Sequence, residues 1–117
     1  MAIRPSVLFG ETPVSNSAAA LYTVPASTTA VITRAVVTNV TASPATLTLW
    51  LVRAAGSRAD GNIIVGAAAA GQSIGAGPAE PTVLNALAGL VLNAGDAIHG
   101  LSATAAALNI VASGWTH

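Results

Sequence analysis

Asp96 and His99 stand three residues apart late in the chain, and His117 is its last residue. These side chains have the clearest capacity for metal or acid–base chemistry. A zinc site wants three or four nitrogen, sulfur or carboxylate ligands at fixed spacing, yet the chain has two histidines and no cysteine. The expectation is a solvated turn aspartate and two surface histidines, with no metal and no cofactor. Serines are plentiful, and the expectation is that nothing resembling a nucleophile elbow surrounds any of them. The run from Gly71 to Gly77 lacks the lysine of a phosphate-cradling loop and reads as a flexible connection. No catalytic residue is assigned, so the chain reads as a non-enzyme.

Charge is scarce, at 7% of residues against about 25% in an ordinary soluble domain. Lysine is absent, and Arg4, Arg34, Arg53 and Arg58 balance Glu11, Asp60, Glu80 and Asp96 to a formal zero. That removes the electrostatic footprint of a nucleic-acid binder. A freely soluble domain usually keeps a net charge to resist association. Two readings stand: a surface covered by other copies or a larger particle, or a low-charge monomer of alanine-rich composition.

Aromatic residues make up 3% of the chain. Phe9, Tyr22, Trp50 and Trp115 are too few for a stacking groove, and no small-molecule substrate is expected. Trp50 and Trp115 read as interface anchors, the role in which tryptophan is enriched, or else as tryptophans packed at a domain end. No apolar run reaches the roughly 18 residues of a spanning helix, so no membrane is expected. Arg4 is followed by Pro5, Gly10 and Glu11 instead of a signal-peptide core, and export through a cleaved signal is not expected. The missing cysteines leave the redox compartment open. Asn39-Val40-Thr41 matches a glycosylation acceptor, a short match that means little without secretion.

Strands must position these residues. Residues 1–17 carry Pro5, Gly10 and Pro13 and suit an extended arm, in which Val7, Leu8 and Phe9 are worth docking against something. Residues 18–117 read as one domain. Thr46 to Val52 alternates, with Leu47, Leu49 and Leu51 towards a core and Trp50 opposite, where it needs a cover from outside that core. Thr28 to Thr41 is β-branched but mixed on both faces, which implies a bulge or protein on both sides. Gly95 can take a positive φ in the turn from Asn93 to Asp96. Ala97 to Ser102 and Leu108 to Trp115 follow as a terminal hairpin, with Leu108, Ile110 and Ala112 on its inner face. The pattern gives seven or eight short strands and no convincing amphipathic helix. The fold class is all-β, an antiparallel sandwich of jelly-roll or immunoglobulin-like type.

Leu21-Tyr22-Thr23-Val24-Pro25-Ala26, then Thr29-Ala30-Val31-Ile32 and Val36-Val37-Thr38-Asn39, resemble a recurrent small β-domain of tailed-bacteriophage virion proteins. The third strand, Thr46 to Val52, is similar as well. So are Leu92-Asn93-Ala94-Gly95-Asp96-Ala97-Ile98 and the closing Ser113-Gly114. The resemblance covers roughly residues 18 to 115 and lies in the order and spacing of its motifs. It implies a structural part of a phage particle, with no catalytic role. A free-standing β-domain with an arm fits a capsid decoration protein, bound at the virion surface after time in the host cytoplasm. Its partners would be itself, as a homotrimer, and the major capsid protein. Trp50 and Trp115 would serve as anchors, with Val7, Leu8 and Phe9 as the docking arm. The alternative is a neck, tail or fibre-associated module that recognises a host glycan or receptor.

Overall fold

β-branched and alternating stretches dominate the chain, and strands form wherever they occur. The structure is a computed structural model that describes residues 4–66, 71–75, 82–104 and 107–116, with backbone alone at 4–7, 9–12 and 60. In chain order the strands are β1 (Arg4–Pro13), β2 (Ala19–Thr23), β3 (Ala30–Asn39), β4 (Ala45–Val52), β5 (Ile63–Val65), β6 (Gln72–Ile74), β7 (Thr82–Val83), β8 (Leu90–Leu92), β9 (Ala97–Ser102) and β10 (Leu108–Thr116). Two single-turn 3-10 segments, Asp60–Asn62 and Asn85–Leu87, are the helical structure among the described residues.

The first sheet runs β1-β10-β3, with β7 and β8 sharing the far edge of β3. The second runs β2-β9-β4, with β5 and β6 sharing the far edge of β4. Every pairing is antiparallel. With the short β6 and β7 set aside, the orders 1-10-3-8 and 2-9-4-5 are those of a jelly roll. The expected all-β sandwich is the fold, and the jelly roll is the alternative the strand order selects.

Between the sheets lies one core. Leu47 and Leu49 of β4, Ile98 of β9, and Leu108 and Ile110 of β10 are fully buried there, with Ile32, Val37, Leu87 and Leu92. Full burial of such side chains contributes roughly 1.5–3 kcal/mol each. Leu51, the third of the alternating leucines, is half-buried at the margin.

Three expectations are corrected. The terminal hairpin does not exist, because β9 belongs to the second sheet and β10 to the first. After β9 Ala103 donates to the Thr46 carbonyl in the second sheet, and before β10 the Ala107 carbonyl accepts from Val40 beyond β3. The inner residues of β9 and β10 therefore meet across the core. The extended arm expected over residues 1–17 is, over 4–13, an edge strand of the first sheet. Its residues pair along β10 from Arg4↔Thr116 to Pro13↔Asn109, with register shifts either side of Phe9. An edge strand tolerates Pro5 and Pro13, since one of its backbone edges needs no partner. Leu8 packs half-buried against the core, while the side chains of Val7 and Phe9 lie outside the described residues. Finally, ten strands stand among the described residues where seven or eight were expected, β1 being one of the additions.

The mixed faces of β3 come from a bulge. Ile32 and Ala35 are buried with Thr33 and Arg34 exposed between them, and the register to β10 slips there, from Arg34↔Ser113 to Ile32↔Gly114. A Cβ on Gly114 would run into the Val31 carbonyl oxygen. The bulge brings two backbones too close for any larger residue.

Candidate functional site

Trp50 does face away from the leucines of β4, as its alternation requires, yet only 9% of it is exposed. The cover is internal. The segment after β4 folds back and lays the Arg58 guanidinium over the indole, 5.5 Å from the ring centroid, a cation–π geometry. Trp50 is therefore corrected from an interface anchor to the floor of a local cluster. His99, its register neighbour on β9, completes that cluster, with Arg58 Nη1 2.9 Å from His99 Nδ1. A guanidinium has no acceptor, so Arg58 donates, Nδ1 accepts, and the imidazole proton sits on Nε2. Burial and then the charge of Arg58 push the His99 pKa down, which keeps the ring neutral at pH 7.

Asp96 is the second surprise. Expected to be a solvated turn residue, it is 2% exposed. Its Oδ2 accepts from Arg53 Nη1 at 2.6 Å and from the Asn93 N–H at 2.9 Å, and its Oδ1 from the Ala54 N–H at 2.9 Å. Burial alone would raise its pKa. The two backbone N–H groups and Arg53 outweigh that and hold it below the ordinary carboxylate value. Gly95 before it takes a φ of +86°, as the turn requires. Asp96 and His99 thus belong to different partners and do not converge on one centre.

Between these two arginine clusters opens a cleft of ≈ 520 Å³, walled by Arg53, Arg58, Ser57 and Gly56 on one side and by Thr23 and His99 on the other. Arg53 is neutralised by Asp96. Among the described side chains no carboxylate pairs with Arg58, and Arg58 is the unneutralised charge of the described lining. The chain matches no family model, no curated protein and no solved structure. What its surfaces do rests on their own residues.

Trp115 lies elsewhere, 40% exposed on the outer face of the first sheet. Its register places it beside Val31 of β3, which in turn pairs with Val91 of β8. A second row, Val111–Val36–Val83, crosses the same sheet. Val91 and Val83 are 48% and 44% exposed. Thr33, Arg34 and Ser113 separate the rows. Sequence reading singled out Trp115 but missed the valines. The signal was there, since a strand that is β-branched on both faces has to leave one face outside.

Two other motifs are structural. Asn39 Nδ2 donates to the carbonyls of Ser43 and Ile74 at 2.8 and 3.2 Å, and its buried amide is spent on the turn after β3, not offered to a glycan. Gly71-Gln72-Ser73-Ile74-Gly75 spells the nucleophile-elbow pattern, but Ser73 sits within β6 opposite Thr46, and no helix follows among the described residues. No group of three metal-ligating side chains gathers among the described residues. His117 lies outside them.

Proposed function

We propose that this chain is a bacteriophage virion structural protein of the capsid-decoration kind, whose copies pack against one another through the outer face of the first sheet. The observation that carries the packing is the pair of rows Trp115–Val31–Val91 and Val111–Val36–Val83. Three long strands abreast at about 4.8 Å, each of about nine residues at about 3.4 Å, with the short β7 and β8 beside them, present roughly 500 Å². Two such faces bury about 1,000 Å², the size at which a specific interface begins. Arg34 is the one charge on that face among the described side chains, so a sibling copy suits it better than a charged partner. The phage location is supported by the order of the motifs from Leu21 to Gly114 and by the jelly roll, an architecture shared with viral capsid domains. Binding that requires assembled shell stabilises the shell by mass action.

Sedimentation of the purified chain tests the packing. An oligomer is expected, and Trp115→Glu should dissociate it without lowering the melting temperature. A wild-type chain that stays monomeric at high concentration overturns the packing. Electron microscopy of particles that contain the chain tests the location by copy number and position.

A second reading, recognition of a host surface glycan at a neck or tail, is favoured by the cationic cleft on the other sheet.

A further inference from the structure

We propose that the cleft between the 53–58 segment and β9 binds a carboxylate-bearing sugar of monosaccharide size, with Arg58 holding the carboxylate. Its biological source rests on the glycan reading above, but the binding itself depends only on the residues of the cleft.

Three of the side chains that line the cleft, those of Arg53, Arg58 and His99, carry N–H donors. Arg58 gives one N–H to His99 Nδ1, which leaves the rest of its planar fork for the two oxygens of a carboxylate. The imidazole Nε2–H is a further donor, since Nδ1 is occupied as an acceptor. Arg53 already holds Asp96 through Nη1, so among the described side chains Arg58 alone carries the charge to be matched. A monoanionic carboxylate matches it, whereas a phosphate dianion brings one charge too many.

Size points to a ligand of monosaccharide scale in an open hollow. The ≈ 520 Å³ volume lies within the range of small-ligand sites, roughly 300–1,000 Å³. Ala55, Gly56 and Gly95 keep the walls low, while Thr23 and Ser57 bring hydroxyls to its edge. The wall is built in advance. Ala55 holds a left-handed φ of +63°, and the Gly56 N–H closes onto the Arg53 carbonyl at 2.9 Å. A residue with a Cβ keeps that conformation only where its surroundings enforce it, so little ordering is left for the ligand to impose. Arg58 is also pinned in place by the Trp50 ring beneath it.

The test is a ¹H–¹⁵N NMR titration of the full chain with glucuronate, glucose, acetate and inorganic phosphate in parallel. Glucuronate should shift the Gly56, Ser57 and His99 amides in a saturable way, more tightly than acetate, with glucose silent. Arg58→Gln, which keeps a planar cover over Trp50, should weaken glucuronate roughly tenfold or more while the melting temperature and sedimentation stay those of the wild type. If Arg58→Gln unfolds, Ser57→Ala serves as the second variant and should weaken glucuronate without moving acetate. Phosphate binding in preference to glucuronate, equal binding of glucose, or no saturable shift with any of them overturns the proposal. Because sedimentation reports on the first sheet alone, failure here is distinguishable from failure of the packing through Trp115.

Discussion

Asp96 grips Arg53 at 2.6 Å across 43 residues of sequence and in the same stroke takes the backbone N–H of Ala54 at 2.9 Å. One carboxylate thereby fixes the exit of β4 to the turn that enters β9. Arg53 adds a 3.3 Å bond to the carbonyl of Val91, so the grip also reaches the first sheet.

Asp96→Ala should therefore destabilise the domain by about 2–4 kcal/mol, because it strands the N–H groups of Ala54 and Asn93 as well as the guanidinium. Arg53→Ala should cost less, about 1 kcal/mol or below, since its side chain is 55% exposed and solvent screens its charge. Urea unfolding of both variants checks the order. Equal losses would mean that the ion pair, and not the backbone bonds, dominates.

The same carboxylate sets an acid limit. Its folded pKa is lowered, so its contribution is complete above the unfolded value of about 3.9. As pH falls, the unfolded chain takes up the proton first, and the contribution is lost progressively until the folded group protonates too. Wild-type stability should fall as pH drops through and below the unfolded carboxylate range, and Asp96→Asn should remove part of that fall. Unfolding midpoints across this window measure it. An unchanged slope in the variant would assign the acid sensitivity to other groups.

The two tryptophans should separate cleanly. Trp50→Ala should destabilise by about 3 kcal/mol or more, comparable with Leu49→Ala, because Trp50 is covered on its own sheet. Trp115→Ala should change stability by less than about 1 kcal/mol and instead weaken self-association. Thermal unfolding and sedimentation on the three variants decide the matter, and a fully stable Trp50→Ala would return that residue to the interface.

Gly114→Ala should cost about 2 kcal/mol or more through overpacking against the Val31 carbonyl. Gly61→Ala, where a Cβ meets nothing within 4 Å, should be neutral within about 0.5 kcal/mol. Denaturant midpoints compare them. A well-tolerated Gly114→Ala would show that the bulge can relax.

Local periodicity carried the core. Leu47 and Leu49 read as inward residues from alternation alone, and so did Leu108, Ile110 and Ala112. Pairing partners were less legible. Nothing local to 97–116 says that β9 and β10 part into different sheets, because alternation names an inner face without naming the neighbour. β1 was hidden by Pro5 and Pro13, which argue against a central strand and not against an edge. The cluster of Trp50, Arg58 and His99 escaped for a related reason. The alternation of β4 correctly turned Trp50 outwards, but the cover arrives from a polar loop whose return path has no periodic signal. The Asp96 motif was noticed as a turn, while its burial depended on an arginine far away in sequence.

The placement of β10 bears on how this protein is made. β10 lies between β1 and β3 in the first sheet, so β1 and β3 both wait for residues 108–116. Until then each keeps a bare edge facing that gap, and only β3 with β7 and β8 can stand opposite the second sheet. Domains usually fold as their chains emerge, but this one has to defer its central pairing until residues 108–116 are made. The closure that brings β1 to β10, Arg4 to Thr116, spans the longest loop of the pairings and is expected to be the slowest step. A nascent chain stalled before β10 is the species most exposed to aggregation, with chaperone capture as its natural counterpart.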